Sequence, residues 1–499
     1  MLLVFPPVAK PSEPPAGIAR LAATLHAAGV PCGVLDANCE GLLWLMEQPR
    51  AGADTWTRRA VNSRARHLGA LRDQRTYCSP DRYGVAVRDL NRLLAVAGAA
   101  QGAVVGLADY RRQRLSPLRS ADLLTAAEQY EENPFFPWFS SRLPELLHGV
   151  RTVGFSINYL SQALCAFAMI GYIRHTFPGV TVALGGGLVT SWLRRPGWCS
   201  PFGALVDHLV AGPGEGALLD LAGAEGRSRH VPPTYGSFPL SDYLAPGLIL
   251  PYSASSGCWW RHCSFCPERT EESRYRPVPV RQALADLRAL TAAERPALIH
   301  LLDNAVSPAL LRGVAKNPPG APWYGFVRFS TELADPAFCE ELRASGCVML
   351  KLGLESGDQG VLDRLHKGID LGVASQVLRN LKQAGIAVYL YLLFGTPAET
   401  EVEAHRTLEF IVRHQEAVDF LNLAIFNMPV YGDEAAALST EPFYEGDLSL
   451  YTGFRHPRGW ERKEVRRFLD HEFKKEPAVA AILRNDPPLF TSNHAPFFV

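Results

Sequence analysis

The sequence predicts an α/β chain in two parts, a Rossmann-like parallel sheet followed by an open or partial (β/α)6 barrel. Apolar runs of strand length alternate with segments of helical periodicity from the first residues onward. The alternation breaks off over about 43–150 and then resumes, so a single interruption separates two stretches of one sheet. A third observation locates the chemistry. The stretch 252–268, YSASSGCWWRHCSFCPE, places Cys258, Cys263 and Cys266 directly after the first strand of the second part.

The amino-terminal elements run strand, loop, helix, strand: LLVF, PPVAKPSEPPAG, IARLAATLHAAG and CGVLDAN. Ile18, Leu21, Ala22 and Leu25 share one helix face, and Gly29 supplies the stop. A strand–helix–strand start predicts parallel pairing. No G-x-G-x-x-G follows the first strand, so the usual dinucleotide fingerprint is absent. The opening MLLVF has no basic lead and ends at Pro6-Pro7, which favours a strand over a secretory leader. Residues 43–150 are mostly helical, punctuated by AVVGLADY and by NPFFPWF, an insertion or lid packed on the sheet. Beyond it, VRTVGFSIN is a strand, LSQALCAFAMIGYIRHTF a helix, and VTVALGGG a strand ending in Gly185, Gly186 and Gly187. VDHLVAGPGEGALLDLAG repeats the pattern, with Gly212, Gly214 and Glu215 in its turn. Parallel sheets bind ligands beyond the carboxyl ends of their strands, and glycine there admits a ligand close to the backbone. Two Gly-rich turns at successive strand ends therefore favour a nucleotide-like ligand.

A Pro-containing linker, 230–247, leads into the second part. LILPYSA opens it, and strands follow at 297–303, 323–329, 348–356, 386–395 and 420–427, with helices between. Barrel chemistry lies at the carboxyl ends of the strands. The cysteine triad, Asp303, Arg328, Glu355, Ser356 and the GTPAET turn (Gly395, Thr396) all fall there. The expected domains are 1–232 with its insertion, 244–430, and a carboxyl-terminal extension 431–499.

Composition bounds what this chain does. With 47% apolar residues among 499 it buries large cores, and Lys plus Arg equals Asp plus Glu at 50 each. No charge excess points to nucleic acid or an anionic membrane, and no apolar run is long enough for a bilayer span. Seven of the ten cysteines are scattered without paired spacing, as in a reducing cytoplasm. The other three, spaced C-x4-C-x2-C, have several readings. Structural zinc needs a fourth ligand, and His262 adjoins Cys263 too closely to serve. A redox pair from Cys263 and Cys266 lacks a thioredoxin-like context. A four-iron cluster held by three thiolates, with one iron open, fits the spacing.

On these residues the chain from about 245 to 430 resembles the radical S-adenosylmethionine (SAM) superfamily. Residues 1–42 and 151–225 resemble the cobalamin-binding domain that precedes this core in one subgroup. The usual triad has three residues in its first gap, and the four here, WWRH, resemble that subgroup's pattern. The resemblance implies that Cys258, Cys263 and Cys266 bind a [4Fe-4S] cluster whose open iron takes SAM's amine and carboxylate. It implies Phe265 near the adenine, Asp303 at the methionyl amine, Arg328 at the methionyl carboxylate, and Glu355 with Ser356 at the ribose. Gly395 and Thr396 would flank the adenine. Read singly, the two carboxylates are helix caps and Arg328 an ion-pair partner, and their joint placement is what favours the cofactor. Glu399-Thr400 reads equally as a cap, Lys367-Gly368 as a loop, and His494 as structural.

The cobalamin fold often carries D-x-H-x-x-G after its second strand. Here Asp36, Asn38 and Gly41 stand at those positions, with an amide where the cobalt-ligating imidazole would be. Either cobalamin binds with its lower face unligated or the domain has lost it. Gly185, Gly186, Gly187, Gly212, Gly214 and Glu215 would hold the nucleotide tail. The resemblance thus implies a cytoplasmic enzyme that cleaves SAM to a 5′-deoxyadenosyl radical and methylates an unactivated carbon through cobalamin. It would draw on an external electron donor and act on a small-molecule or peptide substrate. The alternatives are a non-methylating radical enzyme, performing rearrangement or cyclisation, and a non-catalytic metal protein.

Overall fold

The computed structural model describes residues 1–49, 54–224, 230–442, 446–487 and 494–499. Two compact units divide at Ile249 and Leu250. The first takes in 446–450, and the second takes in 451–487 and 494–499, so the described residues after 430 form no third unit.

In the first unit, β1 (Leu2–Phe5), β2 (Gly33–Asp36), β3 (Thr152–Ser156), β4 (Thr181–Gly185) and β5 (His208–Leu209) form one sheet in the order β2-β1-β3-β4-β5. Every neighbouring pair is parallel, with Leu2 opposite both Gly33 and Val153. The central strands β1, β3 and β4 are short, largely buried apolar runs, as parallel sheets covered by helices require, while the edge strands β2 and β5 are partly exposed. This order reverses direction between β1 and β3, and the crevice outside their carboxyl ends is where such sheets take ligands. The two loops there are tied together: Gln162 Nε2 donates to Pro6 O at 2.8 Å and Ser161 Oγ to Val8 O at 2.8 Å.

The insertion is largely helical, with long helices at Thr55–Leu71 and Pro80–Ala99. Buried Asp89 joins them by accepting from Trp56 Nε1, Arg59 Nη2 and His67 Nε2 at 2.8, 2.9 and 3.1 Å. AVVGLADY is a hairpin, Ala103–Val105 against Tyr110–Arg112. Phe135 and Phe139 of NPFFPWF are fully buried, so that aromatic cluster is core and not a lid.

In the second unit six strands follow in sequence order: β6 (Ile249–Tyr252), β7 (Leu298–Leu301), β8 (Trp323–Val327), β9 (Cys347–Glu355), β10 (Ala387–Phe394) and β11 (Phe420–Ile425). Pairing from β7 to β11 is parallel throughout. Helices Val280–Glu294, Pro308–Lys316, Pro336–Ala344, Leu371–Gln383 and Glu401–Arg413 connect them. The outward residues of β9, Val348, Leu350, Leu352 and Leu354, are buried, as expected for strands roofed by helices.

His494 packs on Tyr389 and Phe420, with ring centroids 4.2 and 4.5 Å away, and Phe498 also meets Phe420. Tyr389 and Phe420 lie at the starts of β10 and β11. The segment HAPFFV therefore closes the amino-terminal end of the barrel, opposite the strand ends where chemistry sits. Residues 488–493, which precede it in LFTSNHAPFFV, lie outside the described residues.

Candidate SAM and cluster site

The cysteine loop is clamped at its base by Ser255–Ser256 pairing antiparallel with Arg276–Pro277. Gly257, at φ +72°, is required there, because a Cβ would lie 2.7 Å from Arg274 O. Within the loop Cys263 is buried, while Cys258 and Cys266 are partly exposed, and none forms a disulfide. Burial, opposed by the Glu268 N–H and helped by neighbouring Cys263, Glu268 and Cys258, pushes the Cys266 thiol up to about 11. A bound cation would reverse that direction, since metal coordination deprotonates thiols. Among the described residues no three Cys, His, Asp or Glu side chains converge tightly enough for a single ion. That includes the three cysteines of this loop, and what favours a cluster there is the chemistry of three thiols within nine residues.

The loop is keyed to the strand ends. Arg328, just beyond β8, is buried, and its Nη1 lies 3.9 Å from Cys263 Sγ. Its guanidinium sits over the rings of Trp260 and Trp259 at 4.2 and 5.7 Å and donates through Nη2 to Lys367 O. Burial draws its pKa down, and the nearby thiols oppose that shift. Trp260 Nε1 donates to His366 O at 3.1 Å, and a Cβ on Gly368 would fall 2.2 Å from the indole. The four-residue WWRH gap is thus the piece that packs on the loop His366–Lys367–Gly368.

Lys367 is the residue that sequence reasoning missed. Its side chain is buried, Nζ lies 2.7 Å from Glu355 Oε1 and 5.5 Å from the centre of the Phe265 ring. One ammonium therefore links the cysteine loop to the end of β9. Pattern reading sees only a polar residue before glycine, because a buried ion pair twelve residues apart leaves no local signature. Glu355 itself is held at φ +71°, a conformation that costs a non-glycine residue about 1–3 kcal/mol and clusters at functional sites.

The remaining expected SAM residues divide. Asp303 is buried after β7 and accepts from Ala254 N at 3.1 Å and from Ser255 Oγ, which fixes the approach to the cysteine loop. Burial raises its pKa against those donors. Ser356 is fully buried, with Thr407 Oγ1 at 3.2 Å and Asp358 N donating at 3.1 Å, so it shapes the strand end and does not open toward a ligand. Gly395 takes φ +73°, and its N–H donates to Glu399 Oε2 at 2.6 Å. Thr396 is buried, its carbonyl accepting from His456 Nε2 at 2.8 Å. Glu399 is not the helix cap. Thr400 caps Glu401–Arg413 in a reciprocal box with Glu403, while fully buried Glu399 also accepts from Trp460 Nε1 at 3.2 Å. Burial pushes Glu399 up to about 8.

The first-unit residues are mostly engaged by their own chain. Asp36 caps the helix Ala37–Glu47 by accepting from Cys39 N, and it accepts from Tyr243 Oη at 2.5 Å. Asn38 and Gly41 lie inside that helix: Asn38 Oδ1 accepts from Ala9 N at 2.7 Å, and Gly41 lies against Phe135 and Trp138. A Cβ on Gly186 would lie 2.3 Å from Ile157 O, and one on Gly214 3.3 Å from Leu21. Gly185 accepts from Ile157 N, Gly187 donates to Asn158 Oδ1, and Glu215 pairs with Arg20 at 2.5 Å. Gly212, at φ +70°, donates to Thr190 Oγ1 and has open space where a Cβ would be. Exposed apolar side chains just beyond β3 are Tyr159 and Leu160, at 56% and 36%.

Residues 252–411 match the model of the Radical SAM superfamily, and they form a radical SAM domain. Over 199 residues the chain is 28% identical to bacteriochlorophyllide d C-12(1)-methyltransferase of Chlorobaculum tepidum, covering 37% of this chain and 42% of that protein. The chain thus spans less than half the length of this curated relative. The structure is similar to the radical SAM methyltransferase TsrM of Kitasatospora setae solved with cobalamin and a [4Fe-4S] cluster, with a TM-score of 0.51, 16% identity, and coverage of 86% of this chain and 75% of that one. TsrM with tryptophan substrate and the SAM analogue aza-SAM gives 0.54, 17%, 88% and 77%. The fold is accordingly the two-part α/β fold of that protein. No helix among the described residues is long and apolar enough to cross a membrane.

Proposed function

We propose that this chain is a radical SAM enzyme that methylates an unactivated carbon in a cobalamin-dependent reaction. The observation that carries the reading is the continuous set from Cys263 through Arg328 and Lys367 to Glu355, which joins the cysteine loop to the strand ends that would hold SAM. Cys258, Cys263 and Cys266 would hold a [4Fe-4S] cluster. When bound, that cluster supplies the electron that breaks SAM's sulfonium bond and yields a 5′-deoxyadenosyl radical. Arg328 keeps positive charge beside the thiolates and favours their ionised form. Glu355, aimed by its left-handed backbone and steadied by Lys367, accepts from the ribose hydroxyls. Phe265 covers the adenine, Asp303 receives the methionyl amine, and the Gly395–Thr396 turn lines the site under the brace of Glu399.

In the first unit the crevice residues fit a large flat ligand through the Tyr159–Leu160 surface and the open Gly212 turn. Asn38, buried and bonded to Ala9, is turned away from ligation, so cobalamin held there would have no ligand from position 38. The test is anaerobic reconstitution with iron, sulfide and cobalamin. Four irons per chain, 5′-deoxyadenosine and S-adenosylhomocysteine are the expected products of loading and turnover. Zinc without iron would sink the radical reading. 5′-Deoxyadenosine alone, with turnover indifferent to cobalamin, would replace methylation by a rearrangement or cyclisation.

A further inference from the structure

Residues 455–471 lie beyond the stretch 252–411 that matches the radical SAM model, yet they pack on the turn at the end of β10. Their sequence explains why they need a partner. In the helix Arg462–His471 only Val465, Phe468 and Leu469 are apolar, at i, i+3 and i+4, and all three are buried while the other residues are ionisable. Phe468 and the following Phe473 meet Phe394, the last residue of β10, with ring centroids 6.2 and 5.1 Å away. Val465 closes on the next residue, Gly395, where an added Cβ would lie 3.1 Å from Val465 Cγ2.

The loop that leads into this helix is built on one imidazole. His456 Nδ1 accepts from the N–H groups of Arg458 and Trp460 at 3.1 and 3.2 Å, which makes Nε2 the protonated nitrogen. That nitrogen donates to Thr396 O at 2.8 Å, and Glu461 Oε1 closes the loop by accepting from His456 N at 3.0 Å. Two more side chains of the loop reach the same turn. Arg458 donates to Ala398 O at 2.9 Å and to Glu403 Oε1 at 3.1 Å, and Trp460 Nε1 donates to Glu399 Oε2 at 3.2 Å. His456, Trp460, Thr396 and Glu399 are all buried. Apolar packing alone would cover the turn, whereas these bonds fix its geometry atom by atom. Thr396 Oγ1 and Glu399 Oε1 are held there without a partner among the described residues, a condition rare enough in native folds to call for a reason beyond packing.

We propose that His456 and Trp460 are positioning residues for SAM, fixing the Gly395–Thr396 turn against the purine end of the cofactor from a segment outside the radical SAM domain. The assignment rests on the radical SAM reading, which puts that turn at the adenine. Neither side chain touches SAM in this role: His456 acts through the Thr396 carbonyl, and Trp460 through Glu399, which in turn accepts from Gly395 N. A turn set to one geometry before the ligand arrives loses less freedom on binding, so the strap acts on SAM affinity and not on the cluster.

Anaerobically reconstituted protein is titrated calorimetrically with SAM, and iron content and the urea midpoint are measured on the same preparations. Trp460→Phe removes one donor and keeps most of the ring's packing, and His456→Leu removes the other. Loss of one buried hydrogen bond predicts a SAM Kd raised roughly tenfold in each, with iron loading unchanged. His456→Gln, which keeps a donor for Thr396 O, should return toward the unaltered Kd. Lys474→Ala breaks the exposed pair with Asp470 further along the segment and should leave the Kd where it was. Variants with a lowered urea midpoint and an unaltered Kd would make the two residues merely structural and overturn the proposal, as would an equal rise in Lys474→Ala. Trp460→Phe alone decides the matter if His456→Leu does not fold. SAM binding that neither variant moves strikes the positioning role alone, whereas iron-loaded unaltered protein that takes up no SAM strikes the radical SAM reading and the positioning role with it.

Discussion

The two sheets of this chain have the same parallel logic and carry expected ligand residues at the same kind of place, yet those residues are used differently. At the carboxyl edge of the first sheet, Asp36 caps a helix, Asn38 holds the loop at Ala9, Gly41 packs on aromatic rings, and Gly186 abuts Ile157. At the edge of the barrel sheet, Arg328 and Glu355 are brought into one set with the cysteine loop and Lys367. Strand ends serve helix starts as readily as they serve ligands, because both need polar groups where the backbone leaves the sheet. What separates the two cases is the partner. In the first sheet these residues bond main-chain N–H groups or pack on the chain's own side chains, whereas in the barrel charged side chains pair with one another and meet the cysteine loop.

The largest break in this comparison is Cys263→Ala. Removing one of three thiolates is expected to abolish stable iron loading and all 5′-deoxyadenosine formation, while Cys39→Ala in the first unit leaves iron content unchanged. Iron and sulfide assays on anaerobic preparations check both. Next is Lys367→Met, which strands Glu355 as a buried unpaired carboxylate. Breaking one partner of such a pair costs about 3–5 kcal/mol, read as a shift in urea unfolding. Lys367→Met with Glu355→Gln should recover much of the loss, and a double variant no better than the single one would show that the ion pair is not the cause.

Glu399 gives an effect of a few kcal/mol with a sign. Its carboxyl is raised by burial to about 8, so the folded state holds a proton that the unfolded chain releases near 4.3. The contribution is fully present below the unfolded value and is lost as pH rises through about 8. Stability should therefore fall between those limits, at up to 1.36 kcal/mol for each pH unit in a roughly linear range. Glu399→Gln keeps an acceptor for Gly395 N and Trp460 Nε1 and should flatten that slope. Denaturation curves at pH 5 to 9 for both proteins decide it, and parallel slopes would remove Glu399 as the source.

Much of the fold was legible because strand and helix periods differ, and all six barrel strands lie where their apolar runs stand. The cysteine triad was legible from spacing alone. Lys367 was not, since its importance comes from burial against Glu355, and burial of a charge is a property of the folded set. The helix that holds Asn38 and Gly41 was not legible, because Asp36 ends the second strand and caps that helix without an intervening residue. For the closing aromatic segment HAPFFV sequence left lid and core open, and only packing on Tyr389 and Phe420 shows which end of the barrel it covers.

The smallest expected effect tests the first sheet on its own terms. Asn38 Oδ1 accepts from Ala9 N in a fully buried position, and Asn38→Ala would leave that N–H without a partner. An unsatisfied buried donor costs about 1–3 kcal/mol, and the loss should appear in cobalamin-free protein. Asn38→Asp keeps the acceptor and should lose less. If the side chain instead served a cofactor, the cobalamin-free protein would be indifferent to Asn38→Ala and only the loaded protein would weaken. A denaturation series with and without added cobalamin separates the two, because a role in the chain's own structure moves both curves by the same amount.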